Sequence, residues 1–113
     1  MRRETAKYLY DIQSAALRLQ DFTSGKSFAD YRNEAMLRSA VEREFIVIGE
    51  AINQLARSDE ASATKITGYE RIIAFRNVLV HGYDTVEDRL VWGVLVSDLP
   101  TLARQVSALL DDQ

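Results

Sequence analysis

Apolar residues recur along this chain at spacings of three and four, the period of a helix with one buried face. Leu9, Ile12, Ala16 and Leu19, with Ala15 and Phe22 beside them, predict a first helix from about Glu4 to Phe22. Thr23-Ser24-Gly25-Lys26 ends it. Ser27 and Asp30 then have the spacing of a capping box, which opens a short segment of one or two turns over Ser27 to Tyr31. Leu37, Val41, Phe45, Ile48, Ile52 and Leu55 form the longest stripe, and predict a helix from about Asn33 to Arg57. Ser58 to Gly68 breaks the period and reads as a loop. A further helix is expected from about Tyr69 to His81, stopped by Gly82 in the left-handed conformation that glycine accepts at helix ends. Thr85 and Asp88 look like a second capping box, opening a helix that carries Leu90, Val91, Val94, Leu95, Leu102, Val106 and Leu109. Pro100 should kink or break it near Asp98 to Pro100, because proline removes a backbone donor and clashes with the preceding turn. The expected fold is all-α, an up-and-down bundle of four to five helices forming one domain over residues 1–113.

Composition narrows the chemistry. The chain has no Cys, which excludes thiolate metal sites, disulfides and cysteine nucleophiles. One His and scattered acids give no convincing ligand set for zinc or iron. The charged start Met1-Arg2-Arg3-Glu4-Thr5-Ala6-Lys7 does not lead into an apolar stretch, and no run approaches the roughly 18 apolar residues of a membrane span. The expected location is cytoplasmic. A net charge of −3 offers no general attraction for nucleic acid, so any such contact must be local. Arg2, Arg3 and Lys7 are one local cluster, equally readable as a solvated terminus. The pairs Glu87-Asp88 and Asp111-Asp112 read as solvated surface.

The candidate chemistry lies in Arg76-Asn77-Val78-Leu79-Val80-His81-Gly82-Tyr83. His81 is the only histidine, the one side chain whose ordinary pKa suits proton transfer near neutrality. It reads either as an acid–base group or as a structural residue at a helix end. Arg76 falls among Ile72, Ile73, Leu79 and Val80, where a core-facing cation needs a partner or a function. Glu50 is the only charge in the apolar stretch 45–52, so it either forms an internal ion pair with Arg76 or orients that guanidinium toward an anion. Five helical residues put Arg76 and His81 about 140° apart in direction and about 7.5 Å apart along the axis. Arg76 must therefore reach around the helix end to act with His81 on one phosphate, or a second copy must complete the site. Asn77, one turn before His81, is placed to hydrogen-bond the imidazole. Such a site has the parts for RNA cleavage without metal or cofactor. One imidazole takes the 2′-hydroxyl proton, another protonates the leaving oxygen, and Arg76 stabilises charge on the phosphate.

With these residues in place, the chain resembles HEPN-domain ribonucleases of the HepT type, the toxin halves of toxin–antitoxin pairs. The segment from Arg76 to Tyr83 is similar to the family's Arg-x4-His-x-Tyr signature, including a polar residue after the Arg. Ile48-Gly49-Glu50-Ala51, Leu90-Val91-Trp92 and Asp98-Leu99-Pro100-Thr101-Leu102 add to the likeness, with Tyr8-Leu9-Tyr10-Asp11-Ile12 and Gly25-Lys26-Ser27-Phe28. The resemblance implies a homodimer with a composite site, metal-independent cleavage of RNA, and an MntA-type minimal nucleotidyltransferase antitoxin as partner. It implies that Arg76 and His81 are catalytic, that Asn77 assists, and that Tyr83 is the hydroxyl the antitoxin modifies with AMP. An added phosphate and purine beside His81 would block the cleft by charge and bulk. The family often opens its third helix with a Pro-Trp pair, whereas this chain has Gly68-Tyr69 after a shortened loop.

Other readings stay open on the residues alone. Tyr83 serves equally as an aromatic covering the helix end. Most aromatic positions fall at core spacings rather than forming a base-stacking platform. A catalytically silent HEPN subunit, binding a nucleotide or substrate for a partner nucleotidyltransferase, is the alternative function. A purely structural helical dimer, with Arg76 and Glu50 as a buried pair, is another.

Overall fold

A computed structural model of the chain describes residues 1–82 and 84–112. Among these residues seven helices form, in the order α1 (Arg3–Thr23), α2 (Phe28–Asn33), α3 (Ala35–Ser58), α4 (Glu60–Ala63), α5 (Tyr69–His81), α6 (Asp88–Ser97) and α7 (Leu99–Asp111). No strand occurs among them, and no helix is long and apolar enough to cross a membrane. The all-α bundle expected from the periodicity is the one observed. Its larger helix count comes from the break at Pro100 and from a single turn inside the expected loop.

The two longest stripes form the centre of the core. Leu9, Ile12 and Leu19 of α1 and Val41, Ile48, Ile52 and Leu55 of α3 are completely buried. The two helices run antiparallel, since Arg2 and Thr5 at the start of α1 meet Ser58 and Asp59 at the end of α3, while Arg18 pairs with Glu44 at 2.9 Å. Asp59 holds that corner together. Its carboxylate accepts from the buried Thr5 hydroxyl at 2.8 Å and from the Ser62 hydroxyl and amide, capping α4. Those hydrogen bonds to the charged form hold the Asp59 carboxyl below the usual carboxylate range. The short α4 has too few residues for a periodic signal and depends on this cap.

The capping box at Ser27 and Asp30 is present in both directions, at 3.1 and 2.9 Å. The second one is not. The Thr85 hydroxyl and amide both donate to the Gly82 carbonyl, at 2.9 and 2.8 Å, so Thr85 closes the end of α5 rather than opening α6. α6 begins three residues later behind Glu87, without a side-chain cap. Gly82 also differs from expectation, with φ of −116° rather than a left-handed value. Its lack of a side chain is still used, because a Cβ there would lie 3.1 Å from the Val78 carbonyl and 3.2 Å from the Thr85 hydroxyl. The left-handed glycine is Gly68, at φ 70°, leading into α5. A proline, fixed near φ of about −65°, could not take that conformation. Pro100 sits in the first turn of α7, where its missing donor is least costly, and α6 and α7 meet at Asp98.

α2 is fixed to α6 by rings: Tyr31 lies 5.6 Å and Phe28 6.2 Å from Trp92. The Tyr31 hydroxyl is buried without a hydrogen-bond partner among the described residues, and burial pushes the phenol far above its usual range. Glu42 and Asp88 act in the same direction on it. Asp88, expected on a solvated surface, is half-buried. Burial first, then the Asp88 charge, raises the Glu42 carboxyl above the usual carboxylate range, with Arg38 partly opposing the shift.

For Glu42, the folded-state pKa therefore lies above the unfolded one, so wild type loses stability as pH rises between those two values. Glu42→Gln removes that loss. Its thermal midpoint should exceed that of wild type at pH 7, and the difference should shrink as pH falls and Glu42 becomes protonated. Paired thermal melts from pH 7 down to pH 4 check this.

Candidate active site

α5 is covered on one side only. Ile72, Phe75 and Leu79 form its buried stripe, and Phe75 meets Phe45 of α3 edge-on at 5.3 Å. Arg76 lies at the margin of that stripe rather than within it, with 24% of its side chain exposed, while Val80 is 37% exposed. A placement at the margin lets a cation use apolar walls for its stem and solvent for its head.

The stem of Arg76 passes directly over Gly49. A Cβ built on Gly49 would overlap the Arg76 Cβ and stand 2.7 Å from its Cγ. The two helices approach this closely because α3 offers bare backbone at that point. One residue further along α3, Glu50 accepts from Arg76 Nη2 at 2.6 Å, and Asn77 Oδ1 accepts from Nη1 at 2.9 Å. Arg76 Nε is buried and has no hydrogen-bond partner among the described residues. Of the five guanidinium N–H bonds, two are used for orientation and one faces the protein interior. The remaining two, one on each terminal nitrogen, have no hydrogen-bond partner among the described residues.

The ion-pair and orienting readings of Glu50 thus merge, because the pair exists yet Glu50 is 56% exposed. Such a pair contributes modestly to stability and effectively to direction. Asn77 has a different partner from the one its spacing suggested. Its side-chain oxygen is on Arg76, and no hydrogen bond among the described residues joins it to His81. A neighbouring residue wins over one on the same face because the long Arg76 side chain folds back along the helix.

His81 ends α5 and is exposed. Among the described residues its imidazole has no hydrogen-bond partner, so it does not cap the helix through its side chain. The helix end is instead closed by the Gly82 amide on Val78 at 2.8 Å and by Thr85. Arg76 and His81 lie on different sides of α5, as the spacing required. Tyr83 falls outside the described residues. No group of three or more His, Asp or Glu gathers around a possible metal position among the described residues.

Comparison with known proteins supports the resemblance drawn from the sequence. A family model described as ribonuclease HepT-like matches residues 12–109. The chain is 28% identical to a candidate RNase of Methanocaldococcus jannaschii, covering 93% of this chain and 95% of that protein. It is equally 28% identical to a candidate RNase of Caldanaerobacter subterraneus, covering 94% of each. A candidate ribonuclease HepT of Thermococcus cleftensis is 28% identical over 90% of this chain and 92% of its own length. No solved structure matches the chain.

The contact at Gly49 yields a direct contrast between two helical glycines. Gly49→Ala should destabilise the protein by about 1–3 kcal/mol through overpacking against the Arg76 stem. Gly93→Ala on α6, where a Cβ meets nothing within 4 Å, should stabilise it by about 0.5–1 kcal/mol. Urea unfolding of the two variants, side by side, measures both signs.

Proposed function

Because the chain belongs to the HepT-like ribonuclease family, we propose that it is the ribonuclease toxin of a toxin–antitoxin pair, cleaving RNA without a metal through Arg76 and His81 at a homodimer interface. The single observation that supports this reading best is the state of the two side chains. Arg76 is held by Glu50 and Asn77 with a donor on each terminal nitrogen unpaired among the described residues, and His81 is an exposed imidazole with no hydrogen bond among them. These are the parts of an anion site and an acid–base group, on different sides of α5.

The chemistry follows from those parts. One His81 imidazole removes the proton from a ribose 2′-hydroxyl, and the 2′ oxygen attacks the adjacent phosphorus. The bond from phosphorus to the 5′ oxygen breaks, and an imidazolium, the His81 of the second copy, supplies the proton that oxygen needs. Arg76 stabilises the negative charge that builds on the non-bridging oxygens, and the product carries a cyclic 2′,3′-phosphate. Two imidazoles in opposite protonation states are required, which a two-fold dimer supplies from a chain with one His. An MntA-type nucleotidyltransferase antitoxin silences the enzyme by transferring AMP to the Tyr83 hydroxyl, two residues from His81. Glu50 and Asn77 are positioning residues.

Purified protein should cleave single-stranded RNA in excess chelator. His81→Ala should lower the rate by about 10²–10⁴-fold, with the helical circular dichroism unchanged. Arg76→Ala should lower it by about 10²–10³-fold. Intact RNA after prolonged incubation, with Tyr83 shown to be unmodified by mass spectrometry, would refute the toxin reading and favour a silent subunit that serves a nucleotidyltransferase.

A further inference from the structure

Glu50 belongs to two features at once. One of its oxygens carries the Arg76 guanidinium at 2.6 Å, and its side chain also lines an open groove of about 290 Å³ between α1 and α3. Tyr8 and Asp11 line that groove from α1, and Arg43, Glu50 and Gln54 line it from α3, with apolar surface from Val47 and Ala51. Positions 43, 47, 50 and 54 recur at helical spacing, so they share one face of α3. The polar groups of the groove are little used by the chain itself. Arg43 is exposed and makes no ion pair or hydrogen bond among the described residues, and the Gln54 side chain makes no hydrogen bond among them. Asp11 gives Oδ2 to Lys7 at 3.0 Å, and its Oδ1 has no hydrogen bond among the described residues. Arg43 and Asp11 thus carry opposite charges into one groove without pairing with each other.

Donors stand on the α3 side, an acceptor on the α1 side, and an aromatic ring beside them. A base of single-stranded RNA is read by this combination, a ring to pack against and hydrogen bonds to its exposed edges. Guanine matches it best. Its O6 and N7 are adjacent acceptors that an arginine fork meets with two hydrogen bonds, and its N1–H and 2-amino group are donors that a carboxylate accepts. Adenine places an amino group where guanine has O6, opposing the Arg43 donors, and pyrimidines lack the N7 acceptor. The groove is also in the right place for a base. Because Glu50 is shared, a nucleotide whose phosphate meets the unpaired donors of Arg76 has its base within reach of the groove.

We infer that this groove is a base-binding subsite selective for guanine, in which Arg43 reads O6 and N7, Asp11 accepts from N1–H or the 2-amino group, and Tyr8 supplies the packing face. Arg43 and Asp11 are then specificity-determining residues, and every residue of the subsite comes from one chain. The groove between α5 and α6, lined by Val78, Leu90 and Val94, is less suited to a base. Its lining is mostly apolar, and its two charges, Arg71 and Asp98, already pair with each other at 4.0 Å. The consequence for cleavage, a preference for RNA with guanine beside the scissile phosphate, rests on the ribonuclease reading. Binding of the base does not require it.

Binding is read apart from cleavage by using the full chain with His81→Ala. Fluorescence anisotropy then compares short single-stranded uridine oligonucleotides that carry one central guanosine, adenosine, cytidine or inosine. The guanosine oligonucleotide should bind about ten-fold tighter than the adenosine one, and inosine, which lacks the 2-amino group, should fall between them. Arg43→Lys keeps the charge but loses the fork, so it should bring guanosine and adenosine to within about two-fold of each other. A role in general phosphate attraction would leave their ratio unchanged. Arg104→Lys on α7 should not alter it. Equal binding of all four oligonucleotides would overturn the proposal, as would a guanosine preference that survives Arg43→Lys, or no binding at all. Wild type that cleaves RNA beside every base alike would remove the subsite and leave the ribonuclease reading intact. Guanosine-selective binding by a chain that cuts no RNA would do the reverse.

Discussion

The contact between the bare backbone of Gly49 and the stem of Arg76 sets the distance between α3 and α5, and most of the site depends on it. With any side chain at position 49 the helices would separate, or the Arg76 stem would leave its rotamer. Either change would carry the guanidinium away from Glu50. The carboxylate is exposed and the pair is partly solvated, so its own attraction is too weak to bring the two helices together. Packing does the positioning, and the ion pair selects the direction of the head group.

The other residue of the proposed site is arranged in the opposite manner. Among the described residues the His81 side chain has no hydrogen-bond partner, and the end of α5 is satisfied by the Gly82 amide and by Thr85. The backbone meets its own hydrogen-bonding needs, leaving the imidazole nitrogens available. In the proposed function, a cation held by Glu50 and an exposed imidazole on different sides of one helix need a second copy to act together.

Much of this fold was legible in the sequence because burial in a helical bundle follows the period of apolar residues. All six stripe residues of α3 from Leu37 to Leu55 are buried, as are Leu9, Ile12, Ala16 and Leu19 of α1. The reading was weaker on α5. That helix is apolar nearly all round but is covered on one side only, so Ile73 and Val80 read as enclosing Arg76 when they lie toward the rim. The Arg76–Glu50 pair was legible from its chemistry, whereas the partner of Asn77 was not, because helical spacing does not show where a long neighbouring side chain places its head group. Thr85 misled for a related reason, since a free carbonyl at the end of one helix competes with the amides at the start of the next. Gly49 left a signal: a glycine inside an otherwise strong helix costs about 1 kcal/mol relative to alanine, and a close approach of another element is the usual reason for keeping it.

A double-mutant cycle in urea tests the seat of Arg76 most directly, using Gly49→Ala, Arg76→Gly and the two substitutions together. Arg76→Gly is required because alanine would retain the overlapping Cβ. If the two positions share one space, Gly49→Ala should be strongly destabilising in the wild-type background and close to neutral once Arg76→Gly is present. The coupling should then be about 1–3 kcal/mol. Effects that add to within about 0.5 kcal/mol would show that Gly49 does not seat Arg76, and would contradict the account.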